Sequence, residues 1–186
     1  MPAILRRAAL AAALLCSATL VLAQGDANDE TRDFGVPPSD ELRLSDHAAP
    51  TPLVLRGVTL IRTAELMARI EGAPETRPLL FDVLGDSHET LPGAIWLPGA
   101  GRGTGFDDVV QAQLATVLAA LSGGDKARAL VFLCSSVRCW LSYNAALRAV
   151  RLGYTGVYWY RGGIASWLAA GGAVAPPRVS WKPPAS

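Results

Sequence analysis

Apolar runs that leave no polar face, separated by stretches with helical spacing, constrain this chain more than any other feature. Leu79 to Leu84 is apolar apart from Asp82, and Ala129 to Leu133 runs unbroken into Cys134. A strand with one wet face alternates polar and apolar residues, whereas a run that is apolar throughout must be covered on both sides. Thr59-Leu60-Ile61, Ala94-Ile95-Trp96-Leu97 after the Pro92-Gly93 turn, and Val157 to Tyr160 read as further strands. Between them, Thr63 can cap a helix through Ile70, and Asp107 or Asp108 starts a helix that ends near Leu121, before Gly123-Gly124. Another helix runs from about Trp140 to Leu152 and stops at Gly153, and Gly162-Gly163 leads into a last short one, Ile164 to Ala170. The expected fold is a single α/β domain with a central, mostly parallel sheet flanked by helices on both faces. Ligands of such sheets bind beyond the carboxyl ends of the strands, which is where Cys134 stands.

The two ends of the chain differ from this middle. Arg6 and Arg7 precede the apolar stretch that begins with Ala8 to Leu15, and Val21-Leu22-Ala23 supplies small residues before Gln24. This is the pattern of a secretory signal peptide over residues 1–23, so the expected location is the periplasm. Residues 24–52 hold Asp26, Asp29, Glu30, Asp33, Asp40, Glu41 and Asp46 against Arg32 and Arg43, with few large apolar side chains. They read as an acidic, flexible leader lying at most along the surface of a domain spanning 53–174. Residues 175–186, with Pro176-Pro177 and Pro183-Pro184, read as an irregular Pro-rich tail. Basic and acidic side chains nearly cancel, 17 against 16, so no broad basic field exists to hold nucleic acid or, after signal cleavage, a membrane surface.

Signal removal takes away Cys16 and leaves Cys134 and Cys139, a close pair in an oxidising compartment. The segment Cys134-Ser135-Ser136-Val137-Arg138-Cys139-Trp140 joins an expected strand to an expected helix. Curled there, the backbone N–H groups of Ser135, Ser136, Val137 and their neighbours form a concavity that favours an anion. Such donors, with Arg138 close by, draw the Cys134 thiol below its free pKa of about 8.5 and make it a nucleophile. Cys139 can be a resolving thiol, a structural disulfide partner or an inert residue at the helix start. Trp140 can border the pocket or belong to the core. Asp82, a carboxylate inside a buried run, is expected to organise loop amides or an arginine. His47 and His88 lie in loop-like sequence far from the cysteines, and the spacing of a metal or haem site is absent, so no metal or cofactor is expected.

These residues carry a resemblance. Leu80-Phe81-Asp82-Val83-Leu84, Leu91-Pro92-Gly93-Ala94-Ile95-Trp96-Leu97-Pro98, the loop from Cys134 to Cys139, and Leu152 through Trp167 resemble, in order, four motifs of the rhodanese homology domain. The resemblance implies an enzyme of the thiosulfate sulfurtransferase kind. Cys134 would take sulfane sulfur from a small sulfur-containing donor as a persulfide and pass it to a thiol or cyanide-like acceptor. Ser135, Ser136, Val137 and Trp140 would bind substrate, Arg138 and Cys139 would assist at the catalytic loop, and Asp82 would support it. Many rhodaneses place Arg or a hydroxyl residue where this chain has Cys139. Related phosphatase loops need Arg where it has Trp140, so phosphatase activity is not expected. Cys139 through Ala146 and Val157-Tyr158-Trp159-Tyr160 are also similar to exported, pyrroloquinoline-quinone (PQQ)-dependent catabolism-associated CXXCW-motif proteins, with four residues instead of two between the cysteines. That likeness implies a periplasmic protein partner and a link to alcohol catabolism. The alternatives are a thiol–disulfide redox protein using Cys134 and Cys139, and a non-catalytic binding module of the same shape. N-terminal sequencing of the exported protein should start at Gln24; a start at Met1 would refute both export and the oxidising setting of the cysteines.

Overall fold

Six strands, β1 (Thr59–Leu60), β2 (Leu79–Asp82), β3 (Ile95–Trp96), β4 (Leu130–Leu133), β5 (Val157–Tyr160) and β6 (Arg178–Val179), join in one sheet of order β1-β5-β4-β2-β3-β6 in which every pairing is parallel. The structure, a computed structural model, describes residues 29–86, 88–179 and 181. The expected signal peptide, residues 24–28 of the leader and residues 182–186 of the tail lie outside them. Among the described residues, four helices complete the fold: α1 (Thr63–Glu71), α2 (Val109–Ser122), α3 (Trp140–Arg151) and α4 (Gly163–Ala169).

Successive residues of the central strands serve two cores, as period-2 geometry requires. Phe81, Phe132 and Trp159 face one core with Leu114 and Leu118 of α2 and Leu141 and Ala145 of α3. Leu80, Val131 and Tyr160 face the other with Leu66 of α1 and Trp167 of α4. Helices therefore cover both faces, and the uninterrupted apolar runs are explained. Phe81 and Phe132 stack across β2 and β4 with ring centroids 5.2 Å apart.

Several local features differ from the sequence reading. Thr63 is the first residue of α1 and caps nothing; the Glu30 carboxylate accepts its N–H at 3.0 Å and its hydroxyl at 2.9 Å. An acid from outside the helix thus satisfies an open N-terminal donor and sits favourably at the positive end of the dipole. The tail contributes β6 to the sheet edge, where the Pro176-Pro177 pair just before it costs no ladder bond, and Trp181 reaches the larger core. Residues 29–52, given to a solvated leader on composition, run against the domain as a strap. Tyr143 donates its hydroxyl to the Ser39 carbonyl, and Asn144 both accepts from the Arg43 N–H and donates to the Arg43 carbonyl. These partners are mostly backbone groups, which composition does not reveal.

Asp108 starts α2 as expected, accepting the Gln111 N–H, and also pairs with the fully buried Arg148 of α3 at 2.9 Å. Burial works to raise the Asp108 pKa, but the Arg148 guanidinium and the N–H groups of Gln111, Thr104 and Gly105 outweigh it and hold the group at about 2, against 3.8 when free. A depressed carboxylate stabilises the fold fully above its unfolded pKa and loses that contribution as the pH falls through the folded one. The Asp108 contribution, about 2 kcal/mol, should drain away between roughly pH 4 and pH 2. Arg148→Met should cost about 3 kcal/mol at neutral pH and flatten that acid limb, as measured by denaturant unfolding at several pH values; an unchanged midpoint would show the pair to be idle.

Candidate active site

Cys134 follows the last residue of β4, and Cys139 is the N-cap of α3. Their Cα atoms are 6.1 Å apart and the two are joined as a disulfide, within the range of about 4.4–6.8 Å that such a bond requires. Both are buried, Cys134 to 1% exposure and Cys139 to 5%. Ser135 and Ser136 are half-buried, Val137 is fully buried and Arg138 is exposed. The Ser135 hydroxyl oxygen lies 4.0 Å from the Cys134 sulfur.

The loop is gripped from two sides. On one, the first amides of α4 turn toward it: Ile164 N–H donates to the Cys134 carbonyl at 3.0 Å and Ala165 N–H to the Ser135 carbonyl at 2.9 Å. That approach explains the second glycine of the Gly162-Gly163 pair. Gly163 has φ +59°, and a Cβ there would meet the Cys134 carbonyl oxygen at 2.3 Å, so only glycine fits. On the other side lies the strap. Thr51 donates its N–H at 3.2 Å and its hydroxyl at 2.6 Å to the Val137 carbonyl, and the Trp140 N–H donates to the His47 carbonyl at 2.9 Å.

The expected anion concavity is therefore partly occupied by the protein itself. Arg138 N–H donates to the Ser136 hydroxyl and Cys139 N–H to the Ser136 carbonyl, while the Trp140 amide at the helix start is taken by His47. The Arg138 guanidinium lies over the Phe34 ring of the strap at 5.3 Å. Trp140 packs inward against Tyr143, with centroids 4.8 Å apart, and Tyr143 meets Trp159 edge-on at 5.2 Å. The indole N–H of Trp140 donates to the Pro50 carbonyl. Val137 and Trp140 thus enter the site through their backbone and their packing.

Asp82 is fully buried and stands beside Leu133, the residue before Cys134. It organises its own turn by accepting the Leu84 N–H at 2.9 Å and pairs with His88 Nε2 at 2.5 Å, where an arginine was one of the expected partners. His47, remote from the cysteines in sequence, holds the start of α3. Burial outweighs its ring's hydrogen bond to the Arg43 carbonyl and pushes the imidazole pKa below its ordinary value. Sequence reasoning missed Thr51, Glu30 and Arg161. Arg161, just past β5 and 1% exposed, donates to the Thr51 hydroxyl and carbonyl and to the Glu30 carbonyl. Burial lowers its pKa, and the nearby Asp33, Asp29 and Glu30 oppose that. An arginine directly after a buried strand was the signal available.

Gly163→Ala tests the grip from α4. The added methyl must push the loop away, so the variant should lose about 2–4 kcal/mol of stability and form the Cys134–Cys139 disulfide more slowly, as followed by thiol trapping. Wild-type behaviour in both would mean that the close approach is unimportant.

The rhodanese-like domain family model matches residues 63–170. Among solved structures, a thiosulfate sulfurtransferase from Pseudomonas aeruginosa is 18% identical with a TM-score of 0.49, covering 70% of this chain and 22% of that one. Two variants of EanB in complex with hercynine are each 17% identical with TM-scores of 0.44, covering 67% of this chain and 32% of theirs. The chain thus spans between a fifth and a third of the length of these proteins. No curated protein matches it. The family match takes in β2, β3, β4, β5, all four helices and the whole Cys134–Cys139 loop, and the chain belongs to the rhodanese-like domain family.

Proposed function

We propose that this protein is an exported sulfurtransferase that carries sulfane sulfur on Cys134. The observation that supports this best is the position of Cys134: in a family-matched domain, it leaves the carboxyl end of central strand β4 and opens the loop that leads into α3. Reduced, Cys134 attacks the outer sulfur of a donor such as thiosulfate. A bond forms between the two sulfurs, the bond from that sulfur to the sulfonate breaks, and sulfite leaves with the electron pair. An external nucleophile, such as cyanide or a thiol, then removes the outer sulfur and returns the thiolate.

Cys139 offers a second outcome for the same persulfide. Its thiolate attacks the inner sulfur of Cys134, the bond to the outer sulfur breaks, and that sulfur leaves as hydrosulfide with one proton. The product is the Cys134–Cys139 disulfide, and two electrons from an external dithiol or two monothiols restore the starting state. This favours a protein that releases sulfide and depends on a periplasmic reductant. The resemblance of Cys139 through Ala146 to PQQ-dependent catabolism-associated proteins supports reading that reductant as a partner in an alcohol-oxidising periplasm. The bonded cysteines also favour a simpler reading, a thiol–disulfide carrier that never holds a persulfide.

Mass spectrometry separates the two. The reduced protein should gain about 32 Da on Cys134 with thiosulfate, and Cys134→Ser should gain nothing while remaining folded. Cys139→Ala should extend the persulfide lifetime by about tenfold or more, because the competing attack is intramolecular. A Cys139→Ala variant that gains no 32 Da, while the wild type only gains and loses the disulfide, about 2 Da, would establish the carrier reading instead.

A further inference from the structure

Segment 47–51 of the strap fixes the loop on both sides of Cys139. The Val137 carbonyl, two residues before it, takes both the N–H and the hydroxyl of Thr51. Trp140, one residue after it, is held through its amide by the His47 carbonyl at 2.9 Å and through its indole by the Pro50 carbonyl at 3.0 Å. Thr51 is itself fully buried and anchored, since Arg161 donates to its hydroxyl and its carbonyl at 3.0 Å each. Its hydroxyl accepts from Arg161 and donates to Val137, so a single side chain ties the end of β5 to the middle of the loop. Cys139 makes no side-chain cap hydrogen bond to α3, and its sulfur is bonded to that of Cys134.

We propose that Thr51 is a positioning residue that holds Cys139 within bonding distance of Cys134. The inference rests on reading the two cysteines as a working pair. His47, Pro50 and Thr51 precede the family-matched region, which begins at residue 63. Without the strap, Val137 and Trp140 would exchange protein partners for water and the loop would sample conformations in which the sulfurs are apart. The effective concentration of one thiol toward the other would fall.

The reaction that reads this is oxidation by glutathione disulfide: two cysteine thiols and one glutathione disulfide give the Cys134–Cys139 disulfide and two glutathiones. The full chain, equilibrated in glutathione buffers and acid-trapped, gives the equilibrium constant. Thr51→Val keeps the backbone N–H and the side-chain size but removes the hydroxyl. It should lower the constant about tenfold, equivalent to raising the disulfide's reduction potential by about 30 mV. Thr51→Ser keeps both hydroxyl bonds and should restore the wild-type value within about twofold. Trp140→Phe, which removes the bond to Pro50 and keeps an aromatic ring, should lower the constant about threefold; it carries the test if Thr51→Val loses its far-UV spectrum. A folded Thr51→Val within twofold of wild type, or in its place a Trp140→Phe within that margin, would overturn the proposal. Failure of the sulfur-transfer reading is distinct, because absence of a persulfide leaves the glutathione equilibrium measurable.

Discussion

The stretch from Cys134 to Cys139 is largely buried and belongs to neither strand nor helix, so its peptide groups must be satisfied by whatever surrounds it. Much of the molecule is arranged around that requirement. Two amides from the start of α4 take the first two carbonyls, Ser136 closes the middle on itself, and the strap takes the Val137 carbonyl and the Trp140 amide. The glycine at 163, the buried arginine at 161 and the threonine at 51 are consequences of the same need, each placed where a partner must come close. Removing the Arg161 guanidinium or the Thr51 hydroxyl leaves a buried polar group costing about 1–3 kcal/mol, comparable to a sizeable part of a small domain's stability.

The sulfur pair inherits its properties from this cage. With Cys134 at 1% exposure, an external thiol meets the sulfur only when local structure opens, so exchange is governed by the opening of the loop as well as by thiol chemistry. The chain of rings from Trp140 through Tyr143 to Trp159 packs the inner side of α3 onto the sheet and keeps water from that side of the bond.

What the sequence revealed divides along a physical line. Strands buried on both faces and the cysteine at the end of Ala129–Leu133 announce themselves through side-chain identity, and the parallel sheet and the place of the Cys134–Cys139 loop follow from them. The strap's hold on the loop did not, because its carbonyl contacts from Glu30, His47 and Pro50 would be made by almost any residue in those positions. Its acids were counted as a signal of solvation, yet Glu30 caps α1 from a distance. Asp82 was legible as a buried carboxylate in want of a partner, but its partner His88 lies across an irregular turn that no periodicity describes. The short β6 was hidden by prolines that read as a stop, although at a sheet edge they are tolerated.

The strap also orders events in time. Arg161 meets Glu30 across 131 residues of sequence and Thr51 across 110, so the segment that leaves the ribosome early lacks its Arg161 anchor until the end of β5 has been made. Such long-range closures are entropically demanding and come after local structure has formed. During synthesis the Thr51 end of the strap waits for Arg161, and the loop between the cysteines waits for the amides of Ile164 and Ala165. The loop from Cys134 to Cys139 thus acquires its last hydrogen-bond partners only once Ala165 has been made.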